Sequence, residues 1–514
     1  MKNKILCILI IAIFLLACIS NQQKEASKQH LNSNTTKLIE PSVGKCGDGI
    51  CSPIEKQKNI CPQDCQDEIS EINTENISQP ILGAANIVID YSSEKASISK
   101  YLFGTLGSPK VSAQGYSLVN EIGFKLVEVN TKTTDLDAAI SSAISAGAEP
   151  MIWFENPQKM PVDLDGYLAG IESTLKQVNA YGARLIRYGN EPDYTAFWTG
   201  TQQEFFELYH SVADRIKSVN PDFIIEAPGF QNALSGGNIN PWVIGFLEYC
   251  KSNSVPVDIL SFHTYSNSPY TFYKSSKLVN QVLVEYSSLS PIYGTPKIAN
   301  DEWSLLVGDL WRKLAYASQF DTAWTAAHNI LSLINMIENN LDVSIRYGGV
   351  FNIADANGYC HDFPLTDCDG NGKPVYYAFK AFNMLADSAL LSTLGGDRMN
   401  FAAISGKKDN EIIIVLSNYD IKRYIETYET KTNAWNEYNS YKAEFGEPKT
   451  YASFNIVINN IPSYYQQAEY ETYLIDDQND LTLESSKNIN IVNSLAVDGD
   501  IIAPSVKLIK IKLS

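Results

Sequence analysis

The sequence predicts an α/β protein built on a (β/α)8 barrel, with a C-terminal all-β sandwich and a small N-terminal cysteine-rich module. Between residues 99 and 391, eight short apolar runs alternate with helical patterns. Such runs are typical of parallel strands buried on both faces, and eight units need about 250 residues. From residue 392 to 514 the apolar period changes to two, which indicates sandwich strands. An open doubly wound sheet is the alternative, but Pro109 interrupts the stretch where its phosphate loop would lie.

Residues 1–17 have the pattern of an export signal. Lys2 and Lys4 precede an apolar run over residues 5–16, which is shorter than the ~20 residues that a membrane-spanning helix needs. The end of the run, Leu16-Ala17-Cys18, resembles a bacterial lipobox. This resemblance implies cleavage before Cys18 and lipidation of its thiol; an ordinary secretory signal is the alternative. We expect the mature chain on the extracellular side of the cell membrane, attached only through this lipid, or otherwise secreted.

A cysteine-rich module over residues 46–65 is predicted between a polar tether (18–45) and an acidic linker (66–84). In an oxidising compartment its cysteines favour two disulfides, with three possible pairings, and zinc is the weaker alternative. These cysteines are Cys46, Cys51, Cys61 and Cys65.

Three cysteines lie further along the chain. Cys360 and Cys368 are close enough in sequence for a disulfide within one loop, and Cys250 is left as a buried thiol. Residues 367–372 match the start of a calcium loop, but position twelve is Ala378 instead of Glu. A glycine-rich hairpin is therefore favoured over a calcium site.

The barrel elements follow one another in order. The eight strand candidates are residues 101–105, 124–129, 150–155, 183–188, 223–227, 257–263, 296–302 and 343–350. Helical patterns lie between them; Thr201 and Glu204 form a capping box that starts one helix, and Asn220-Pro221 ends it. The sandwich strands are expected at residues 411–416, 452–458, 470–475 and 506–512, joined by a first strand at 85–98 that precedes the barrel.

The charge balance excludes several functions. The chain has 58 acidic and 40 basic residues, a net charge of −18, and therefore no excess of basic residues with which to bind nucleic acid or anionic lipid. Its five histidines form no paired-His motif, which argues against a metallohydrolase.

Two carboxylates close strands of the predicted barrel, where active sites of this fold form. Glu191 follows strand four and Glu302 follows strand seven, so they are expected to face each other across the barrel mouth. His263 and Tyr265 close strand six. A carboxylic acid opposite a carboxylate suits the hydrolysis of a glycosidic bond.

The motifs Asn190-Glu191-Pro192 and Asp301-Glu302-Trp303 resemble those of clan A glycoside hydrolases. The similarity is nearest to family 39, with families 51 and 79 nearby, and covers residues 86 to 514. It implies that Glu191 is the general acid/base of a retaining glycosidase and Glu302 its nucleophile. It also implies a carbohydrate substrate and no metal or organic cofactor.

The same resemblance implies roles for the neighbouring residues. Asn190 would bind the sugar hydroxyl beside the reacting carbon, and His263 and Tyr265 would orient the nucleophile. From the residues themselves, Trp303 is a candidate platform for a sugar ring, and Glu155 and Asn156, after strand three, are candidates to bind a hydroxyl.

Two departures affect the substrate contacts. Clan A members usually carry an arginine at the end of strand two, and residues 124–130 contain none. Arg187 and Arg346 are possible substitutes, although each also fits an ordinary core ion pair. Strand eight closes in Phe351-Asn352 where the clan often has tryptophan. A catalytically silent carbohydrate-binding or scaffold protein is the alternative function.

Overall fold

A computed structural model describes residues 83–106, 113–305, 320–350, 363–428 and 433–514. The chain divides into two units, Met1–Asn76 and Ile77–Ser514, and the described residues belong to the second. The predicted signal, tether and cysteine module, with Cys18, Cys46, Cys51, Cys61 and Cys65, lie outside the described residues, as does Cys360. Among the helices that are described, none is long and apolar enough to cross a membrane.

The strands and helices of the described residues follow the predicted order. The strands up to the end of the barrel are β1 Ala84–Ser97, β2 Gly104–Leu106, β3 Leu126–Asn130, β4 Glu149–Phe154, β5 Leu185–Tyr188, β6 Ile224–Glu226, β7 Leu234–Ser235, β8 Asn238–Ile239, β9 Ile259–Ser266, β10 Lys297–Leu305 and β11 Val343–Arg346. The later strands are β12 Ala389–Leu394, β13 Phe401–Lys408, β14 Glu411–Asn418, β15 Ser453–Asn459, β16 Gln467–Ile475, β17 Asp480–Asn490, β18 Leu495–Asp500 and β19 Ser505–Leu513. The helices are α1 Ala113–Ile122, α2 Leu136–Ser145, α3 Leu164–Ala180, α4 Gln202–Val219, α5 Pro241–Asn253, α6 Pro269–Leu283, α7 Ala323–Ile337, α8 Pro374–Asn383, α9 Ile421–Tyr428 and α10 Asn433–Phe445.

The barrel prediction is confirmed. Eight parallel strands close in the order β10-β11-β2-β3-β4-β5-β6-β9, and each corresponds to one of the eight apolar runs. The predicted capping box starts α4, where Thr201 and Glu204 bond to each other's backbone. Inward-facing apolar side chains fill the lower barrel: Leu126, Met151, Leu185, Ile259, Ala299, Val343 and Ile345. This apolar floor excludes water beneath the polar residues above it.

The C-terminal strands form one nine-stranded sheet that encloses its own apolar core. Its order is β17-β16-β19-β14-β13-β12-β1-β15-β18, so the early strand β1 joins it, as predicted. Strand β14 is buried on both faces: Ile412 and Ile414 belong to the sheet's own core, whereas Ile413 and Val415 belong to the core shared with the barrel. The sheet therefore packs directly against the barrel's helical layer.

One part of the sandwich differs from the all-β prediction. Helices α9 and α10 are inserted between β14 and β15. The apolar residues of α9 recur at helical spacing and form one buried face. On this face, Tyr424 packs against Tyr419 and against Trp324 of α7. The insertion also reaches the barrel, where Glu437 accepts a hydrogen bond from Ser266 Oγ at 2.8 Å.

The cysteine and calcium predictions have partial answers. Cys250 is free and buried, as expected. Cys368 is disulfide-bonded, but its predicted partner lies outside the described residues, so the pairing stays a prediction. The carboxylate of Asp367 accepts hydrogen bonds from the backbone amides of Asp369 and Asn371, which closes a tight turn. The Asp367 carboxylate is therefore held by the turn itself.

Candidate active site

Polar side chains line the barrel interior above the apolar floor. Strand side chains alternate between the two faces of a sheet, so one inward position on each of five strands contributes to this layer. The residues are Glu128 on β3, Arg187 on β5, Glu226 on β6, His263 on β9 and Asp301 on β10, each 3% exposed or less. This buried charged layer supports the residues at the mouth.

A bulge on β10 aims the predicted nucleophile. The pairing of β10 with β9 shifts between Asn300 and Glu302, so one extra residue enters β10. As a result, Asp301 and Glu302 both contact barrel-interior residues: Asp301 contacts Arg187, and Glu302 accepts a hydrogen bond from Tyr265. Bulges of this kind re-aim side chains beside active sites.

A strained turn aims the predicted acid. Glu191 has a backbone φ of +42°, which residues other than glycine rarely adopt. Gly189, two residues earlier, has φ +100°. The turn is held because the Glu191 amide donates to the Gly229 carbonyl at 2.7 Å. Backbone strain of this kind persists where the surroundings fix it, and it is common in active sites.

The two carboxylates meet His263 at the mouth. One oxygen of Glu191, one oxygen of Glu302 and one nitrogen of His263 all lie within 4.8 Å of one another. His263 Nδ1 lies 2.8 Å from Glu191 Oε1, and the Tyr265 hydroxyl donates to Glu302 Oε1 at 2.7 Å. Tyr265 thus contacts the predicted nucleophile, as expected, whereas His263, which was expected to orient the nucleophile too, bonds to the predicted acid.

His263 is the positive charge between the acids. Burial alone would lower its pKa, but the charges of Glu302 and Asp301 and the hydrogen bond to Glu191 raise the pKa of His263 to about 9. The protonated ring donates Nδ1–H to Glu191. An imidazolium has no free lone pair, so this trio is a poor metal site although its geometry would allow one.

The charged layer below contains three carboxyl groups whose pKa values are shifted. Burial, together with the charge of Asp301, raises the pKa of Glu226 well above its ordinary value. Burial also opposes the charge on Asp301, but Arg187 and His263 outweigh it and lower the pKa of that carboxyl. Burial raises the pKa of Glu128 to about 7, although Arg187 opposes the shift. Glu226 is thus the protonated partner of the Glu226–Asp301 pair.

The segment that carries Glu191, His263 and Glu302 matches the model of a known enzyme family. Residues 186–439 match the model of Glycosyl hydrolases family 39. The resemblance to glycoside hydrolase family 39 is confirmed. A second model, RET, Cysteine Rich Domain, matches residues 11–96, a range that contains the predicted cysteine module and extends into β1.

Three known proteins are similar to this chain. The chain is 24% identical to a beta-xylosidase of Geobacillus stearothermophilus over 54% of its length, and 22% identical to a beta-xylosidase of Caldicellulosiruptor saccharolyticus over 58%. These matches span 56% and 62% of the relatives' own lengths. The crystal structure of a glucosidase from Croceicoccus marinus superposes with a TM-score of 0.65 at 20% identity, covering 84% of this chain and 99% of that one.

The residues predicted to bind the sugar lie at different distances from the two carboxylates. Asn190 is at the site, with its Oδ1 bonded to Arg187. Asn156 lies behind it and accepts the Asn190 backbone amide at 2.7 Å, so it positions Asn190. Glu155 is partly exposed at the rim, where it pairs with Asn130 and Lys132.

The prediction that Trp303 is a sugar platform is wrong. Its side chain is 0% exposed, donates to Ser344 Oγ at 2.9 Å and packs against Phe272 and Phe379 beneath the outer helices. The bulge turns Glu302 toward the barrel interior, and Trp303, the next residue, faces the outer helices.

Three residues around the site were not predicted from the sequence: Glu128, Glu226 and Gly229. Glu128 stands near the end of strand two, the strand on which clan A members usually carry arginine, and a charged residue inside an apolar run was the available signal. Gly229 carried no local signal, because its role depends on contacts from three other strands.

Proposed function

We propose that this protein is a retaining glycoside hydrolase that acts on extracellular oligo- or polysaccharide by double displacement. The observation that supports the proposal best is that one carboxylate oxygen of Glu191 lies within 4.8 Å of one carboxylate oxygen of Glu302. Retaining glycosidases place the two groups about 5–5.5 Å apart, whereas inverting enzymes need about 6.5–9.5 Å to admit a water. The resemblance to family 39 supports the same reaction.

The side chains divide the work in two steps. In the first, Glu302 attacks the anomeric carbon while Glu191 gives its proton to the leaving oxygen, which forms a glycosyl ester on Glu302. In the second, Glu191, now a carboxylate, takes a proton from water, which attacks the same carbon and releases Glu302. The Tyr265 hydroxyl, which donates to Glu302 Oε1, orients the nucleophile, and His263 orients Glu191.

β-Xylosides are the first substrates to test, because two relatives are named beta-xylosidases. A panel of aryl glycosides should reveal turnover, and proton NMR of the first-formed sugar should show the anomer of the substrate. Glu302→Ala should lose activity, and azide should restore it as a glycosyl azide of inverted configuration. Glu172→Gln, a change in a surface ion pair on α3, is the control and should behave as wild type.

Two results would contradict the proposal. An inverted first product would exclude double displacement. Binding of glycans without turnover on any substrate would favour the catalytically silent carbohydrate-binding protein.

We also propose that the protein is a lipoprotein anchored through Cys18, on the residue pattern at the end of the signal. Cells grown with a labelled fatty acid should incorporate the label into the wild-type protein but not into Cys18→Ser. Secretion of unlabelled wild-type protein into the medium would favour the ordinary secretory signal.

A further inference from the structure

Arg187 touches more of the active site than a core ion pair requires. Its Nε lies 2.6 Å from Asp301 Oδ2, and its Nη1 pairs with Glu128. Its Nη2 donates to Asn190 Oδ1 at 3.0 Å and lies 3.2 Å from His263 Nε2. One side chain, 1% exposed, therefore joins strands two, six and seven to the motif that follows strand four.

The contact with Asn190 decides which way the amide points. A guanidinium N–H is only a donor, so the atom that it contacts must be the amide oxygen. The amide nitrogen is then the free end, and it makes no hydrogen bond with the described residues. Asn190 is itself 6% exposed, and its backbone amide is held by Asn156, so the side-chain nitrogen is the part left to meet a ligand.

The guanidinium of Arg187 comes from strand four instead of strand two. Clan A members usually have an arginine at the end of strand two, and here Glu128 lies near that end. A planar guanidinium serves several acceptors at fixed angles, which a lysine ammonium cannot do from the same position. Trp153 packs on the face of the guanidinium, 4.7 Å from its carbon, and further limits its movement.

We propose that Arg187 is a positioning residue that orients Asn190 toward the hydroxyl next to the reacting carbon. This rests on the proposed glycosidase function. Arg346, the other candidate, donates to the backbone carbonyls of Tyr347 and Phe363. Within the described part of the chain it forms no hydrogen bond with Asn190.

The test compares two substrates that differ in that one hydroxyl. An aryl glycoside and its 2-deoxy analogue are hydrolysed by wild type, Arg187→Lys, Asn190→Ala and the double variant. We expect Arg187→Lys to lose roughly 10- to 100-fold in kcat/KM on the hydroxylated substrate, the range for one hydrogen bond to a charged group. On the 2-deoxy analogue the loss should stay under about 3-fold. The double variant should be no worse than Asn190→Ala alone on the hydroxylated substrate.

Arg187→Lys keeps the buried positive charge, so the variant is expected to fold, and thermal unfolding checks this. Arg215→Lys, a change in a surface ion pair on α4, is the matched control and should leave both rates unchanged. Equal losses on the two substrates would assign Arg187 a structural role only, and no loss on either would also overturn the proposal. If Arg187→Lys does not fold at the assay temperature, the two substrates are compared at a lower temperature at which thermal unfolding shows the variant to be folded. Wild-type enzyme inactive on both substrates would instead contradict the proposed function.

Discussion

A single methyl group at Gly229 should disable the active site. A Cβ on this residue would lie 2.4 Å from His263 Nε2 and 2.9 Å from both Arg187 Nη2 and Asp301 Oδ2. Non-bonded heavy atoms prefer separations of about 3.5 Å or more, so in Gly229→Ala the His263 ring must move by about 1 Å. Gly229 also holds the turn of Glu191 through its carbonyl.

His263 has no free direction in which to move. It is 0% exposed and held by Glu191 on one side and by Asp301 on the other, and the Arg187 guanidinium lies only 3.2 Å from its Nε2. Overpacking of a buried site costs about 1–3 kcal/mol of folding free energy. A displacement of about 1 Å within a catalytic group costs about 100-fold in rate. We therefore expect Gly229→Ala to fold with a lowered melting temperature and to lose about 100-fold in kcat.

Steady-state hydrolysis of an aryl glycoside and thermal unfolding measure the two effects. Gly170→Ala is the matched control, because Gly170 lies on the exposed face of α3 and no atom stands within 4 Å of the place its methyl group would take. It should keep wild-type kcat and gain about 0.5–1 kcal/mol of stability. Wild-type kcat in Gly229→Ala would show that His263 and Arg187 do not need their present positions.

Three further predictions follow from single contacts. Tyr265→Phe removes the hydrogen bond to Glu302 and should lower kcat about 10- to 100-fold without changing the melting temperature; unchanged kcat would contradict the orienting role. Trp303→Phe should lower stability by about 1–3 kcal/mol and leave KM unchanged, whereas a raised KM with unchanged stability would restore the platform prediction. Burial raises the pKa of Glu437 from 4.5 to about 7, so its neutral form adds stability at low pH that is lost as pH rises through 7. Between pH ~5 and ~8 the wild type should lose about 2–3 kcal/mol relative to Glu437→Gln in denaturant unfolding, and parallel pH profiles would exclude this.

Most of the fold could be predicted from local sequence patterns. Each barrel strand is a short apolar run whose residues are buried on both faces, so its burial and its boundaries are visible in a few consecutive residues. The capping box at Thr201 is local in the same way. The proposed catalytic pair could also be predicted from the sequence, because Glu191 and Glu302 close strands whose ends meet at one barrel mouth.

What could not be predicted depends on contacts between distant segments. Residues 301–303 lie side by side in sequence, and strict alternation would send Asp301 and Trp303 to one face and Glu302 to the other. The bulge changes this order: Asp301 and Glu302 face the interior, and Trp303 faces the helices. The cause is the pairing with β9, which a strand's own composition does not reveal.

The charged layer is the clearest case of this limit. In the sequence, Arg187 is compatible with an ordinary core ion pair, and Glu128 is simply a charged residue within an apolar strand. Only the closed barrel brings them together over 59 residues of sequence and adds Asp301 from the opposite wall. Burying three carboxyls and one guanidinium is tolerable because Glu226 keeps a proton and His263 adds a second positive charge. Since that balance requires all five side chains at once, the same residues that neutralise the barrel interior also fix Asn190 and Glu191 at its mouth, and a substitution in either set should be felt in the other.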